Sequence, residues 1–292
     1  MFVIRMRTIL IYLFILAVMF CTIHFFVTRE TTLPVDGEGE AAVELPILMY
    51  HGVTESPKQV SKFVISSRML EEDLKYLAEN GYETVTMAEV IAYVKEGDDL
   101  PEKPVMLTFD DGYYNNYCYA FPLLRVYNAK AVISIIGKYT DLYTDVPDEN
   151  PAYSHVTWNE VQEMMDSGLV EFQNHSYDLH TNTGDRNGTK KKWGESDAEY
   201  AQCLKEDIGL LQQEMQEHTG YTPTTFTYPF GSVSEASYAI LRDMGFQASL
   251  SCEEKNNYIT RNNPACLEML NRCLRSDKAS AKEILEKLKV ES

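Results

Sequence analysis

From Pro46 onward, short apolar runs alternate with longer amphipathic ones, and this rhythm limits the fold more than any other feature of the chain. The short runs predict strands at 47–50, 84–86, 105–109, 131–136, 169–172, 225–228 and 247–250. The longer runs predict helices at 68–80, 88–95, 117–127, 158–167, 197–218, 235–244 and 281–289. Four of them open on a capping-box pair: Thr86 with Glu89, Thr157 with Glu160, Ser196 with Glu199 and Ser280 with Glu283. Gly81, Gly168, Gly220 and Gly245 follow helical runs, where a left-handed residue ends a helix. Strand–helix alternation of this kind builds a largely parallel α/β sheet, open or closed into a barrel. Its chemistry then belongs at the carboxyl ends of the strands.

Ahead of this domain lies a different kind of segment. Residues 8–27 (TILIYLFILAVMFCTIHFFV) carry one ionisable side chain, His24, and as a helix would match the hydrocarbon core of a bilayer, about 30 Å. Arg5 and Arg7 precede it, which orients the N-terminus to the cytoplasm and the rest of the chain outward. No small-x-small site closes the run, so an uncleaved transmembrane anchor is expected over a cleaved signal, which would make the protein secreted. The division is then 1–29 for stub and anchor, 30–45 for an acidic linker, and 46–292 for the outer domain. The expected location is the cell membrane, with the domain extracellular.

The formal net charge is −18, and a surface so acidic repels phosphate backbones, which argues against nucleic acid as a partner. Cys21 lies in the apolar run; the other five cysteines form no even framework and contain no CxxC pair.

The strand ends concentrate the ionisable residues. The run 105–109 leads directly into Asp110-Asp111-Gly112, and 169–172 leads through Gln173-Asn174 into His175 and His180. Two adjacent carboxylates are costly to bury without compensating charge. Histidines five apart converge only where the chain bends between them. Together the two sets make a carboxylate–bis-imidazole metal site, for which zinc is well suited. Tyr228-Pro229-Phe230-Gly231 ends a third strand and is placed to wall the cleft, while His51-Gly52 ends the first. Tyr228, Phe230 and Trp158 are candidate substrate-binding aromatics. His155 and His218 read as structural or solvated.

These motifs resemble the polysaccharide deacetylases of the NodB-homology type, carbohydrate esterase family 4. Met49-Tyr50-His51-Gly52 is similar to the family's opening strand, Thr108-Phe109-Asp110-Asp111-Gly112 to its first motif, and the run from His175 to His180 to its second. The histidine spacing most resembles the branch acting on poly-β-1,6-N-acetylglucosamine. The resemblance implies a distorted (β/α)7 barrel and one divalent ion, zinc or else cobalt, nickel or iron, on Asp111, His175 and His180. It further implies Asp110 as general base, the Tyr113 backbone N–H as an oxyanion donor, and a polysaccharide substrate that loses acetate from N-acetylglucosamine units. Alternatives on the same fold are a non-enzymatic glycan-binding module and an O-deacetylase. Three positions depart from the family pattern. Phe226 and Thr227 stand where an arginine that orients the base is sought, no Asp-Trp pair occurs near 250–258, and no histidine follows His218. His51, at the end of a neighbouring strand, is a candidate substitute for the general acid, the alternatives being water or Asp110 after it has taken a proton.

Overall fold

The computed structural model describes residues 42–291, so the predicted anchor and most of the acidic linker lie outside the described residues. Among the described residues no helix is long and apolar enough to cross a membrane. Seven strands form the main sheet: β1 (Ile47–Tyr50), β2 (Pro104–Asp111), β3 (Ala131–Ile135), β4 (Val170–Asn174), β5 (Thr225–Thr227), β6 (Ala248–Leu250) and β7 (Cys273–Leu274). They run parallel in the order β6-β5-β4-β3-β2-β1-β7. Leu250 of β6 makes a parallel bridge to Leu270, and Cys273 of β7 pairs with Leu48 of β1. One short stretch, 270–274, thus touches both edges of the sheet and draws it round into a barrel-like curve.

The helices are α1 (Ser67–Glu79), α2 (Met87–Lys95), α3 (Phe121–Tyr127), α4 (Gly137–Asp145), α5 (Trp158–Asp166), α6 (Asp197–Thr219), α7 (Ala236–Asp243) and α8 (Ala281–Glu291). Capping boxes form at Thr86, Thr157 and Ser196, and Ser280 exchanges the same pair of hydrogen bonds with Glu283. Gly81, Gly168, Gly220 and Gly245 all have φ between +71° and +92°, as expected of left-handed helix ends.

Two expectations change. The strand at Glu83–Thr84 pairs with β2 off the main path, and the seventh place belongs to Cys273–Leu274. Arg272 and Arg275 flank that strand, so no apolar run announces it. Helix α4 reads Gly-Lys-Tyr-Thr-Asp-Leu-Tyr-Thr-Asp, too polar to show a helical stripe.

Side-chain alternation along each strand sorts the barrel into an outer and an inner face. Val105, Leu107 and Phe109 of β2, with Ala131, Ile133 and Ile135 of β3, pack outward against α1, α3, α5 and α8. The inner face is apolar at the amino end, where Ile47, Met106 and Val132 meet Met87, Val90 and Val94 of α2. Further along it turns polar: Thr108, Ser134, Gln173, Thr225 and Thr227 are fully buried, and Ser134 Oγ lies 2.7 Å from Thr227 Oγ1. The polar half leads to the carboxyl ends of the strands.

A buried ion pair fastens the closing strand. Arg275 binds both oxygens of Asp73 on α1, at 2.6 and 3.2 Å, and the same carboxylate accepts from the Ala281 amide and the Tyr50 hydroxyl. Four elements (α1, β1, the end of β7 and the start of α8) meet there. Removing one partner of a buried pair leaves the other charge without compensation. Asp73→Ala is therefore expected to lower the unfolding free energy by about 3–5 kcal/mol in urea titrations, and a loss below about 1 kcal/mol would contradict this role.

Candidate active site

Extended backbone sends Asp110 and Asp111 to opposite faces of β2, yet both carboxylates serve one cleft. Asp110 continues the inner face. Asp111 leaves the extended region at φ +73°, a conformation costly for a non-glycine residue and concentrated at functional sites. Gly112 follows at φ +71°, and a Cβ there would stand 2.7 Å from Ile135 Cγ2, so only glycine completes the turn. The bend brings Asp111 Oδ1 to 3.2 Å from His180 Nε2 and 3.6 Å from His175 Nε2.

The histidine loop bends in the same way. Ser176 adopts φ +75°, directly after His175. Asn174 Oδ1 accepts from the Ser176 amide, and Asp207 of α6 accepts from the amides of Tyr177 and Asp178. The first amides of α4 donate to the carbonyls of Ser176 and Tyr177. Four residues on three elements thus shape the turn that lets two histidines, five apart, share a ligand set.

Protonation states suit a cation. His175 Nδ1 lies 2.7 Å from the Thr227 carbonyl, which can only accept, so Nδ1 carries the proton and Nε2 presents its lone pair toward Asp111. Burial pushes His175 down to about 3 and lowers His180 as well, keeping both imidazoles neutral near pH 7. Burial raises Asp111 to about 6, with the neighbouring Asp110 charge adding to it. Asp111 Oδ1 is buried and accepts no hydrogen bond. An orphaned carboxylate oxygen beside two neutral imidazoles fits a divalent cation. The donor atoms of Asp111, His175 and His180 lie within 4.8 Å of one another.

Asp110 has a different environment. Arg272, fully buried one residue before β7, grips it in a fork: Nη1 to Oδ1 at 2.6 Å and Nη2 to Oδ2 at 2.9 Å. Arg272 is itself held by the Ser251 carbonyl at Nε and by Thr108 Oγ1. Burial favours the neutral acid, but the guanidinium overrides it and holds the carboxyl well below the usual carboxylate range. The orienting arginine sought at 226–227 is thus supplied from the far end of the chain. The flanking of Cys273–Leu274 by two arginines is the one sequence signal that could have pointed to it.

The other expected residues separate into those at the cleft and those away from it. A cleft of about 560 Å³ holds His51, Asp110, Asp111, Tyr113, His175, His180 and Phe230. His51 Nδ1 is buried without a partner, and Asn116 fixes the residue through its carbonyl at 2.7 Å. Tyr113 bridges to His155 in the non-hydrogen-bonded register, which leaves its amide outside the ladder. Phe230 is 46 % exposed and sits 4.3 Å from the His180 ring. Tyr228 and Trp158 do not reach the cleft. Tyr228 is fully buried, packed with α6 and α7, and its hydroxyl meets Ser237. Trp158 donates to Asp141 and stacks on His218, part of a more open Asp141–Glu214–His218 group. Both lose their expected substrate contact because their aromatic bodies complete the core. His155 takes the structural of its two expected roles: it is buried against Tyr113, Tyr139 and Tyr143, and burial lowers it to about 4. Cys118, Cys203, Cys252 and Cys266 are free thiols.

A curved parallel α/β sheet bears Asp-Asp on one strand end and paired histidines on another, a candidate metal site of the kind hydrolases use. Residues 97–249, just over half of the chain, match the family model described as polysaccharide deacetylase, and the chain belongs to that family. A poly-beta-1,6-N-acetyl-D-glucosamine N-deacetylase of Escherichia coli (strain K12) is 26% identical over 259 residues, 82% of this chain. The alignment covers 38% of that relative, so this chain corresponds to a minor part of its length. Among solved structures, a de-N-acetylase from Aggregatibacter actinomycetemcomitans superposes with a TM-score of 0.71 at 25% identity, over 84% of this chain and 99% of that one. IcaB from Ammonifex degensii gives 0.67 at 26% identity, over 86% and 98%.

The fork between Arg272 and Asp110 has a measurable signature. Arg272→Met is expected to raise the titration midpoint of the Asp110 carboxyl, because burial remains while the guanidinium that opposes it is gone. Carbon-detected NMR of that carboxyl reads the shift, and an unchanged midpoint would contradict the assignment.

Proposed function

We propose that this chain is a metal-dependent N-deacetylase of a β-1,6-linked N-acetylglucosamine polysaccharide. The observation that carries this reading is the juxtaposition, in one cleft, of an ionised carboxylate locked to arginine and a separate Asp-His-His donor set. The names of the relatives support the choice of glycan.

Asp111, His175 and His180 would hold the ion; zinc suits two imidazoles and a carboxylate, with cobalt, nickel and iron as alternatives. Bound there, the ion would polarise an acetamide carbonyl and increase the acidity of water. Asp110 accepts the proton of the attacking water, and Arg272 keeps that carboxylate ionised and aimed. The Tyr113 amide donates to the oxyanion of the tetrahedral intermediate; its lying outside the ladder with His155 supports this role. His51, in the same cleft, donates a proton to the departing amine. The products are acetate and a glucosamine amine. The apolar run at 8–27 supports an anchored enzyme whose catalytic domain faces outside the cell.

The test is acetate release from β-1,6-linked N-acetylglucosamine oligomers, before and after chelation and after zinc or cobalt is restored. Activity should vanish with chelator and return with metal; undiminished activity in the metal-stripped protein would contradict the reading. Asp110→Asn should keep about one ion per chain and lose about 10²–10⁴-fold in turnover. His51→Ala should lose turnover on a similar scale for the amide, yet less for an activated acetyl ester, whose leaving group needs little protonation. Equal losses on both substrates would remove His51 from the proton-donor role.

A further inference from the structure

We propose that a second cavity, adjoining the main cleft at Asp111 and His180, is a stacking subsite for a pyranose ring next to the reacting sugar. This rests on the glycan reading above and extends it to how the polymer is gripped.

The cavity holds about 410 Å³ and shares Asp111, Tyr113, Ala152 and His180 with the main cleft. The two spaces therefore adjoin along these four residues, beside the proposed reaction centre. Apart from Ile136, the remainder of its lining is aromatic: Tyr139 and Tyr143 from α4, with Tyr153 and His155 from the segment before α5. Tyr139 and Tyr143 are half-buried, and Tyr153 is exposed. They are held as a unit, because the His155 ring lies 4.6 Å from Tyr139, 5.7 Å from Tyr143 and 4.7 Å from Tyr113. His155 is 92 % buried, being 8 % exposed, and its Nδ1 has no hydrogen-bond partner. The buried His155 ring serves as the fixed plate against which Tyr139 and Tyr143 stack. The rigid tyrosine faces offer the large apolar area with polar tips that suits a sugar's mixed CH and OH surface. No lysine or arginine lines the cavity, so a neutral ring fits better than an anionic one.

The experiment compares β-1,6-linked N-acetylglucosamine oligomers of two to six sugars, using the full metal-loaded chain and its Tyr143→Ala and Tyr143→Phe variants. In the wild type, kcat/KM should rise with oligomer length. In Tyr143→Ala the ratio of kcat/KM for the hexamer to that for the dimer should fall roughly tenfold, mainly through KM, and Tyr143→Phe should restore most of it because the ring face remains. A length ratio unchanged in Tyr143→Ala, or a Tyr143→Phe variant as poor as alanine, overturns the subsite while leaving the deacetylase reading intact. If the wild type releases no acetate from any oligomer, the deacetylase reading falls instead. The subsite is then judged by calorimetric binding of the hexamer, and equal affinity for wild type and Tyr143→Ala overturns it.

Discussion

The ion pair between Arg272 and Asp110 is the contact on which the rest of the site depends. Taking both charges out of water costs several kcal/mol per ion, and a well-packed apolar pair is often as stable. Its value here is electrostatic and geometric. A fork of two hydrogen bonds fixes the carboxylate plane, and the guanidinium keeps it ionised in a place where burial would protonate it. The neighbouring acid, Asp111, lacks such a partner and is raised to about 6. One aspartate is thus matched to an arginine and the other is left for the proposed cation, which separates two chemically identical side chains into two roles.

The fold supplies that separation through topology. Arg272 reaches Asp110 because residues 270–274 join both edges of the sheet, and Arg275 anchors the same stretch to α1. The polar half of the barrel interior continues the pattern, from Thr108 and Ser134 through Thr227, whose carbonyl fixes the His175 tautomer. Backbone strain at Asp111 and Ser176 is placed where it aims ligands. Such positions persist because their surroundings over-determine them, as the Asp207 and Asn174 hydrogen bonds do for the histidine loop.

Much of this was legible in the residues. Strand and helix rhythm located six of the seven main strands, and the capping boxes fell where the Ser/Thr-x-x-Glu pairs stood. Asp111, His175 and His180 were readable because each follows an apolar run and is a metal-ligand type. What escaped the sequence depends on contacts across the chain. Arg272 acts on a residue 162 positions away and sits beside a strand of two residues. Trp158 and Tyr228 were misassigned because an aromatic near a motif looks alike whether it faces sugar or core; only packing decides. His155 was read as structural or solvated, and the meeting of β2, α4 and the segment before α5 decides for the structural role by burying it among tyrosines.

The central claim is that Arg272 and Asp110 act as one unit, and a double-mutant cycle on acetate release tests it most directly. Residues that act together give strongly non-additive losses. The account predicts that the Asp110→Asn/Arg272→Met double variant releases acetate at a rate within a few-fold of the weaker single variant, because once the carboxylate is gone the arginine has nothing left to hold. Losses that multiply across the two substitutions would contradict it.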